Sequence, residues 1–232
     1  SLLSFINILY ASYFDYFLSI DTYFIALTVS LILGFGFWYY GKKSTKNINF
    51  IEQLILIICA YILTSFLISI PFYLSNYQVT FLNSIFESIS GLTGTGFSIF
   101  KDIKYLDPTL ILWRSSSQWI GGLFFLFFLT ILFSNKSFNY KMTNLTYSGE
   151  SNYKSEENIK NNLLKIFLLY SILSLLYFTL LNISGIRLFN SLNLTMSLVS
   201  SGGFLPSDSL KEIIITNFQK IVLIFTLIFS ML

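Results

Sequence analysis

Residues 83–98 read NSIFESISGLTGTGFS, and residues 190–205, about 107 residues later, read NSLNLTMSLVSSGGFL. Aligned without a gap, the two stretches are identical at Asn83/Asn190, Ser84/Ser191, Ser90/Ser197, Gly96/Gly203 and Phe97/Phe204. Each is an apolar segment that ends in a tip rich in Gly and hydroxyl residues, and each lies between two long hydrophobic runs. This arrangement predicts two loops that enter a membrane and line an ion path with backbone carbonyls.

Composition also indicates a membrane protein. Of the 232 residues, 54% are hydrophobic and 11% are charged, whereas a soluble domain has about 25% charged residues. The chain has no His and one Cys, Cys59, so it has no ligand set for a His/Cys zinc or haem site and no pair for an internal disulfide. No acid–base or nucleophilic constellation accompanies the tips, so we expect no enzyme and no cofactor. The net charge of +3 is too small to predict nucleic-acid binding.

Hydrophobic runs long enough for a membrane-crossing helix, about 20 residues, are predicted at 22–40, 51–75, 109–133, 162–182 and 213–232. Residues 2–20 are borderline because Asp15 interrupts them, so they form either a sixth span or a helix at the membrane interface. Because the chain starts at Ser1 and stops within an apolar run, we expect it to be a fragment of a longer protein.

The distribution of lysines predicts the orientation. Two connections are rich in Lys, and because two crossings separate them they lie on one side, which the Lys excess assigns to the cytoplasm. The Gly-rich tips then belong to the outer side. The lysines are Lys42, Lys43 and Lys46 in the first connection and Lys136, Lys141, Lys154 and Lys160 in the second.

The predicted fold class is therefore an all-α membrane protein with two tandem, parallel repeats of helix, re-entrant pore loop and helix. One or two leading helices occupy residues 1–41, the first repeat occupies 42–135, and a cytoplasmic linker and the second repeat occupy 136–232. Parallel repeats are related by an axis along the membrane normal, which suits a central pore.

Each tip follows a segment too short to cross the membrane, 79–92 in the first repeat and 189–199 in the second. We expect half-helices that stop near mid-membrane, with their negative dipole ends aimed at the tips. Carbonyls of the tips would replace the hydration shell of a monovalent cation, and the two Phe side chains would wedge the returning chain against neighbouring helices. The predicted lining residues are Thr93, Gly94, Thr95, Gly96, Phe97, Ser200, Ser201, Gly202, Gly203 and Phe204.

Two motifs resemble the Trk/Ktr/HKT family of potassium-uptake proteins, and its bacterial TrkH branch most of all. The first is FESISGLTGTG at 86–96 followed by LWRSSSQWIGG at 112–122, and the second is SSGGF at 200–204 followed by Ser207 and Asp208. Residues 23–27 and 71–72 also fit the leading helices and first outer helix of that branch. The resemblance covers essentially the whole chain.

The resemblance implies a K⁺-conducting protein of the bacterial inner membrane, with four such repeats around one pore. It also implies a homodimer and a cytoplasmic nucleotide-binding subunit of the TrkA type. One Gly in each filter is the key selectivity residue in that family, and the matching positions here are Gly96 and Gly203. Some plant relatives that prefer Na⁺ have Ser at the first position, so Gly96 favours K⁺. Only two repeats are present in this chain.

Glu87 in the first half-helix and Arg114 in the following span are charged residues within predicted membrane segments. Buried charges are costly unless they are paired or hydrated. One hypothesis is that they pair and anchor the half-helix to the span. The alternative is that Arg114 extends to the outer interface beside Trp113.

Two functional alternatives remain open at this stage. The same fold could carry Na⁺, or either cation without preference. The second alternative is a membrane anchor without a pore, which predicts that Thr95, Gly96 and Gly203 tolerate substitution by Ala or Val.

Overall fold

The computed structural model describes residues 1–14, 20–43, 49–133 and 157–231, and within these ranges it is helical with no β-strand. These ranges contain nine helices, with one turn of 3₁₀-helix at Ile103–Tyr105 between the fourth and the fifth. The helices are α1 (Leu2–Tyr13), α2 (Ile20–Gly41), α3 (Phe50–Tyr73), α4 (Phe81–Leu92), α5 (Pro108–Phe133), α6 (Glu157–Ile183), α7 (Leu188–Val199), α8 (Leu210–Ile213) and α9 (Asn217–Met231).

Four of these helices, α2, α3, α5 and α6, are long and apolar enough to cross a membrane. They coincide with four of the predicted spans. Large apolar side chains such as Ile32, Leu82 and Leu169 are exposed along the helices, as expected of surfaces that face lipid tails. The chain is thus a multi-pass membrane protein.

The predicted span at 213–232 differs from the structure. There, α9 starts at Asn217, four residues later than predicted. The late start has a local cause, because the Gln219 side chain accepts hydrogen bonds from the amides of Ile215 and Thr216 and holds them in a turn before the helix. For the borderline segment 2–20, α1 accounts for 12 residues, and Asp15 lies outside the described residues.

The half-helices match the prediction closely. Thr80 caps α4 by accepting a hydrogen bond from the amide of Asn83, 3.4 Å away, so the helix starts two residues later than the sequence pattern indicates. Both half-helices have 12 residues, or about 18 Å at 1.5 Å each. This length cannot cross a membrane about 30 Å thick.

The core consists of two hydrophobic clusters, and α5 belongs to both. In the first cluster, Leu110 and Trp113 of α5 pack with α1, α2 and α3. In the second, Leu123 of α5 packs with α6 and α7. Hydrogen bonds tie the leading helices to the first repeat, since Tyr23 donates to the hydroxyl of Thr109 at 3.2 Å.

The lysines of the two connections lie partly within the described residues. Lys42 follows α2 and lies 5.0 Å from the ring centroid of Trp38, as in an interfacial belt of aromatic and basic residues. Lys46, Lys136, Lys141 and Lys154 lie outside the described residues. The expected domain boundary at 135/136 also lies there.

Candidate functional site: two facing pore loops

The two Gly-rich tips lie directly against each other. A methyl group built on Gly96 would be 2.6 Å from Cα of Gly203, and one built on Gly94 would be 3.4 Å from the carbonyl oxygen of Ser200. Residues 93–97 and 200–204 therefore run side by side rather than in separate surface turns. The structure brings together the two segments that the sequence repeat singled out.

The loops fold alike because their amides turn back onto the ends of their own half-helices. Thr95 donates to the carbonyl of Ser90 at 3.0 Å, and Gly202, at the matching position, donates to the carbonyl of Ser197 at 2.7 Å. One residue earlier, Gly94 donates to Gly91 and Ser201 donates to Leu198. The ungapped alignment of the two stretches thus describes a real correspondence in backbone geometry.

Left-handed backbone produces this reversal. Gly94 has φ of +70° and the matching Ser201 has φ of +53°, a region that costs a residue with a Cβ about 1–2 kcal/mol. Gly96 has φ of +79°, whereas Gly203 is outside the left-handed region. Only the first loop therefore requires glycine at the contact between the loops on conformational grounds.

The carbonyls of both tips remain available. Within the described parts of the chain, the carbonyl oxygens of residues 93–96 and 200–203 accept no hydrogen bond. The exception is at the end of the first tip, where the hydroxyl of Ser90 donates to the carbonyl of Phe97 at 2.6 Å. Free carbonyls, combined with the negative ends of two half-helices, form a cluster of partial negative charge that favours a cation.

The two Phe side chains do not behave alike. Phe204 is buried, 1% exposed, and the expected wedge is correct for it. Phe97 is 68% exposed, so the expectation that it packs against neighbouring helices of this chain is wrong. The physical reason is that Phe204 faces α5 and Gly91 of the other repeat, whereas Phe97 lies on the outer surface of the pair of loops.

Glu87 and Arg114 form an ion pair inside the protein. The distance between Nε of Arg114 and Oε1 of Glu87 is 2.8 Å, and the two side chains are 1% and 0% exposed. Of the two alternatives for Arg114, the structure shows the pair and not an extension to the interface. The pair joins α4 to α5.

A small network extends the pair to the chain that leaves the first tip. The hydroxyl of Ser98 donates to Glu87 at 3.0 Å and accepts from Nη2 of Arg114 at 2.9 Å. The amide of Ile99 donates to the second carboxylate oxygen of Glu87 at 2.9 Å. These bonds compensate the loss of hydration that both charges suffer on burial.

Side chains of α5 also reach the second tip. The amide of Phe204 donates to Oε1 of Gln118 at 3.2 Å. One turn earlier on the helix, Nη1 of Arg114 donates to the carbonyl of Leu205 at 3.4 Å, and its guanidinium carbon lies 4.3 Å from the ring centroid of Phe204. The second tip is therefore held by the last helix of the first repeat.

Small residues on α5 allow this close approach. A side chain on Gly121 would overlap the carbonyl of Leu92 at the end of α4. A side chain on Gly122 would lie 2.9 Å from Cβ of Ser200 at the end of α7. This Gly pair thus lets α5 pack closely against the ends of both half-helices. A cavity of about 1000 Å³ adjoins the tips and is lined in part by Gly122 and Tyr170.

Beyond the tips, a side chain of the second repeat binds the backbone of the first repeat. Asp208, which follows the second tip, accepts hydrogen bonds from the amides of Ile103 and Lys104 in the first repeat. The amino group of Lys104 lies 3.8 Å from the same carboxylate. Each repeat thus contributes a side chain that holds the returning chain of the other.

Several of these positions have roles that sequence reasoning did not assign. Ser90 anchors the first tip through its carbonyl and its hydroxyl, and Ser197 anchors the second through its carbonyl. Ser98 and the contact of Gln118 with Phe204 had no signal, because they depend on how distant segments pack. Asp208 was noted only as part of the second motif.

The fold and the facing loops define a class: multi-pass membrane proteins with paired half-helices that end in a common loop site. The profile of the TrkH family, described as cation transport protein, matches residues 19–232. The chain therefore belongs to the TrkH family of cation transport proteins, as the resemblance of its motifs indicated.

Individual relatives agree with this assignment. An uncharacterized cation transporter of Methanocaldococcus jannaschii is 30% identical over 194 residues, which cover 82% of this chain and 39% of that protein. The Trk system potassium uptake protein TrkG of Escherichia coli is 26% identical over 198 residues, covering 80% of this chain and 39% of that protein. The chain thus spans about two fifths of the length of these relatives.

The crystal structure of the potassium transporter TrkH from Vibrio parahaemolyticus has the same fold. It superposes with a TM-score of 0.74 at 18% sequence identity, over 98% of this chain and 47% of that chain. The predicted fold class is confirmed by this likeness.

Proposed function

We propose that this chain supplies two of the pore loops of a potassium-uptake protein, and that K⁺ passes along the backbone carbonyls of residues 93–97 and 200–204. The observation that carries the proposal is that the two tips face each other with their amides turned back and their carbonyls free. Such oxygens can replace the water around a cation at low cost, since no internal hydrogen bond has to break. The hydrogen-bonded carbonyl of Phe97 contributes least.

Potassium is the proposed ion for two reasons. The site consists of neutral carbonyls, which suit a weakly hydrated monovalent cation better than a divalent one. The E. coli relative TrkG bears the name of a potassium uptake protein. Gly at position 96, rather than Ser, is the family feature that favours K⁺ over Na⁺.

We assign a supporting role to Glu87 and Arg114. The buried pair and its bonds to residues 98 and 99 fix both ends of the first tip, because α4 precedes the tip and Ser98 follows it. A pore loop rejects an ion smaller than K⁺ only if its carbonyls are held in place and cannot move inward to bind that ion. The pair stabilises that geometry without contacting the ion.

The complete pathway needs more than this chain, which spans about two fifths of its relatives' length. We propose that further repeats of the same kind close the pore, and that the protein works as a homodimer with a TrkA-type cytoplasmic subunit in a bacterial inner membrane. Segments 1–41, 42–135 and 136–232 are the proposed leading helices, first repeat, and linker with second repeat.

The test is radioactive Rb⁺ uptake into liposomes that contain the full-length protein. We expect external K⁺ to compete with Rb⁺ at concentrations where Na⁺ does not. Gly96→Ala should abolish uptake, and Gly34→Ala, at a helical position with no atom within 4 Å of the added methyl, is the matched control. Equal competition by Na⁺ would support the non-selective alternative. Normal uptake by Gly96→Ala would contradict the proposed site.

A further inference from the structure

Gln118 is a buried polar residue, and the stability of the fold alone does not explain why this side chain is polar. Its side chain is fully buried, and its amide nitrogen has no hydrogen-bond partner within the described chain. An unpaired buried amide is unfavourable, and an apolar side chain of the same size would avoid that cost. The role of Gln118 is therefore better explained by what its side-chain oxygen binds than by packing.

That oxygen binds the second tip. It accepts from the amide of Phe204 at 3.2 Å, immediately after the Gly that faces the first tip. The same side chain fills the space beside Gly202, where a methyl group would lie 2.5 Å from Cδ of Gln118. Gln118 therefore contacts the second tip at two positions two residues apart, through a hydrogen bond to Phe204 and through packing on Gly202.

Within the described residues, the second repeat has no equivalent of the ion pair that supports the first tip. In the ungapped alignment, Leu194 occupies the position of Glu87, so the second half-helix carries no carboxylate to bind its own return. Its returning chain is held instead from α5, by Gln118 at the amide of Phe204 and by Arg114 at the carbonyl of Leu205. The two tips are thus supported by one helix, one turn apart.

We infer that Gln118 is a positioning residue that sets the spacing between the two tips, and hence their selectivity for cation size. The inference rests on the proposed function. Gln118 does not touch the ion. It fixes the carbonyls of the second tip relative to those of the first, to which α5 is already tied through Arg114 and Glu87.

The test compares Gln118→Leu with Gln118→Glu and with the control Ser116→Ala, all in full-length protein reconstituted into liposomes. Leu keeps the approximate size but cannot accept from Phe204, whereas Glu retains an acceptor oxygen. Ser116 is equally buried on the same helix, and its hydroxyl donates to the carbonyl of Trp113 within that helix. The quantity measured is the ratio of Rb⁺ to Na⁺ uptake at equal protein content.

We expect Gln118→Leu to lower this ratio about five- to tenfold, the size expected from one lost hydrogen bond. Gln118→Glu should recover part of the ratio, and Ser116→Ala should leave it unchanged. A residue with only a structural role would reduce both uptakes equally, so an unchanged ratio in Gln118→Leu would overturn the inference. If the unmodified protein itself shows no preference for Rb⁺, the proposed function fails instead, which separates the two outcomes.

Discussion

Replacing Glu87 with Gln removes one charge from the buried ion pair and leaves the shape of the side chain almost unchanged. The Arg114 guanidinium then lies 1% exposed with no negative charge next to it. Removing one partner of a buried pair costs about 3–5 kcal/mol in the free energy of unfolding. We expect the lower end, about 3 kcal/mol, because Arg114 keeps its bonds to Ser98 and Leu205 and its contact with the Phe204 ring.

The reciprocal change, Arg114→Gln, leaves the carboxylate with two neutral donors, Ser98 and the amide of Ile99. Its expected cost is also about 3 kcal/mol. The double variant buries two neutral amides, so it should lose much less than the sum of the single variants. The expected coupling free energy is about 2 kcal/mol, within the range for residues in direct contact.

The assay is denaturant unfolding of the purified protein in mixed micelles, with the four proteins of the double-mutant cycle measured side by side. Lys104→Gln is the control, since it breaks a half-exposed pair at 3.8 Å that should contribute at most about 1 kcal/mol. Additive losses in the cycle, or a loss for Glu87→Gln no larger than for Lys104→Gln, would refute the reasoning.

Three further predictions test the packing of the tips. Gly121→Ala should destabilise the protein by about 2 kcal/mol or more, because the methyl group overlaps a backbone carbonyl. The control Gly34→Ala should stabilise it by up to about 1 kcal/mol. Thermal unfolding measures both effects, and equal effects would contradict the packing argument. Gly96→Ala should lower Rb⁺ uptake more than Gly203→Ala. Of the two, only Gly96 combines a left-handed φ with a position where an added methyl would lie 2.6 Å from the opposite Cα. A larger loss of uptake in Gly203→Ala would be inconsistent with these loops. Ser201→Gly should raise the free energy of unfolding by about 0.5–1 kcal/mol by relieving a left-handed residue, and a decrease in chemical-denaturant unfolding would contradict it.

The membrane spans and half-helices could be predicted from the sequence because each depends on the residues of its own segment. A run of about 20 apolar residues has few alternatives to a membrane helix. The half-helices followed from a repeat in which apolar segments too short to cross end in Gly-rich tips. The start of α9 was missed because Gln219 caps its turn from inside an apolar run, and a hydropathy pattern does not register one such residue.

The asymmetry between the tips could not be predicted. Phe97 and Phe204 are identical in the alignment, yet one is exposed and the other buried, because burial depends on neighbours that the repeat does not share. The pairing of Glu87 with Arg114 was one of two open alternatives, since burial of Arg114 depends on tertiary packing. The contact of Gln118 with Phe204 joins residues 86 positions apart, and no local pattern encodes it.

The helix α5 has one consequence for how this molecule can be divided. Its residues Leu110 and Trp113 complete the core of the leading helices, while Leu123 completes the core built by α6 and α7. The stretch that was duplicated in the sequence is therefore not the unit that folds. A cut after residue 133 would separate the two copies in the gene, but it would remove from the later copy the helix on which its hydrophobic side chains pack.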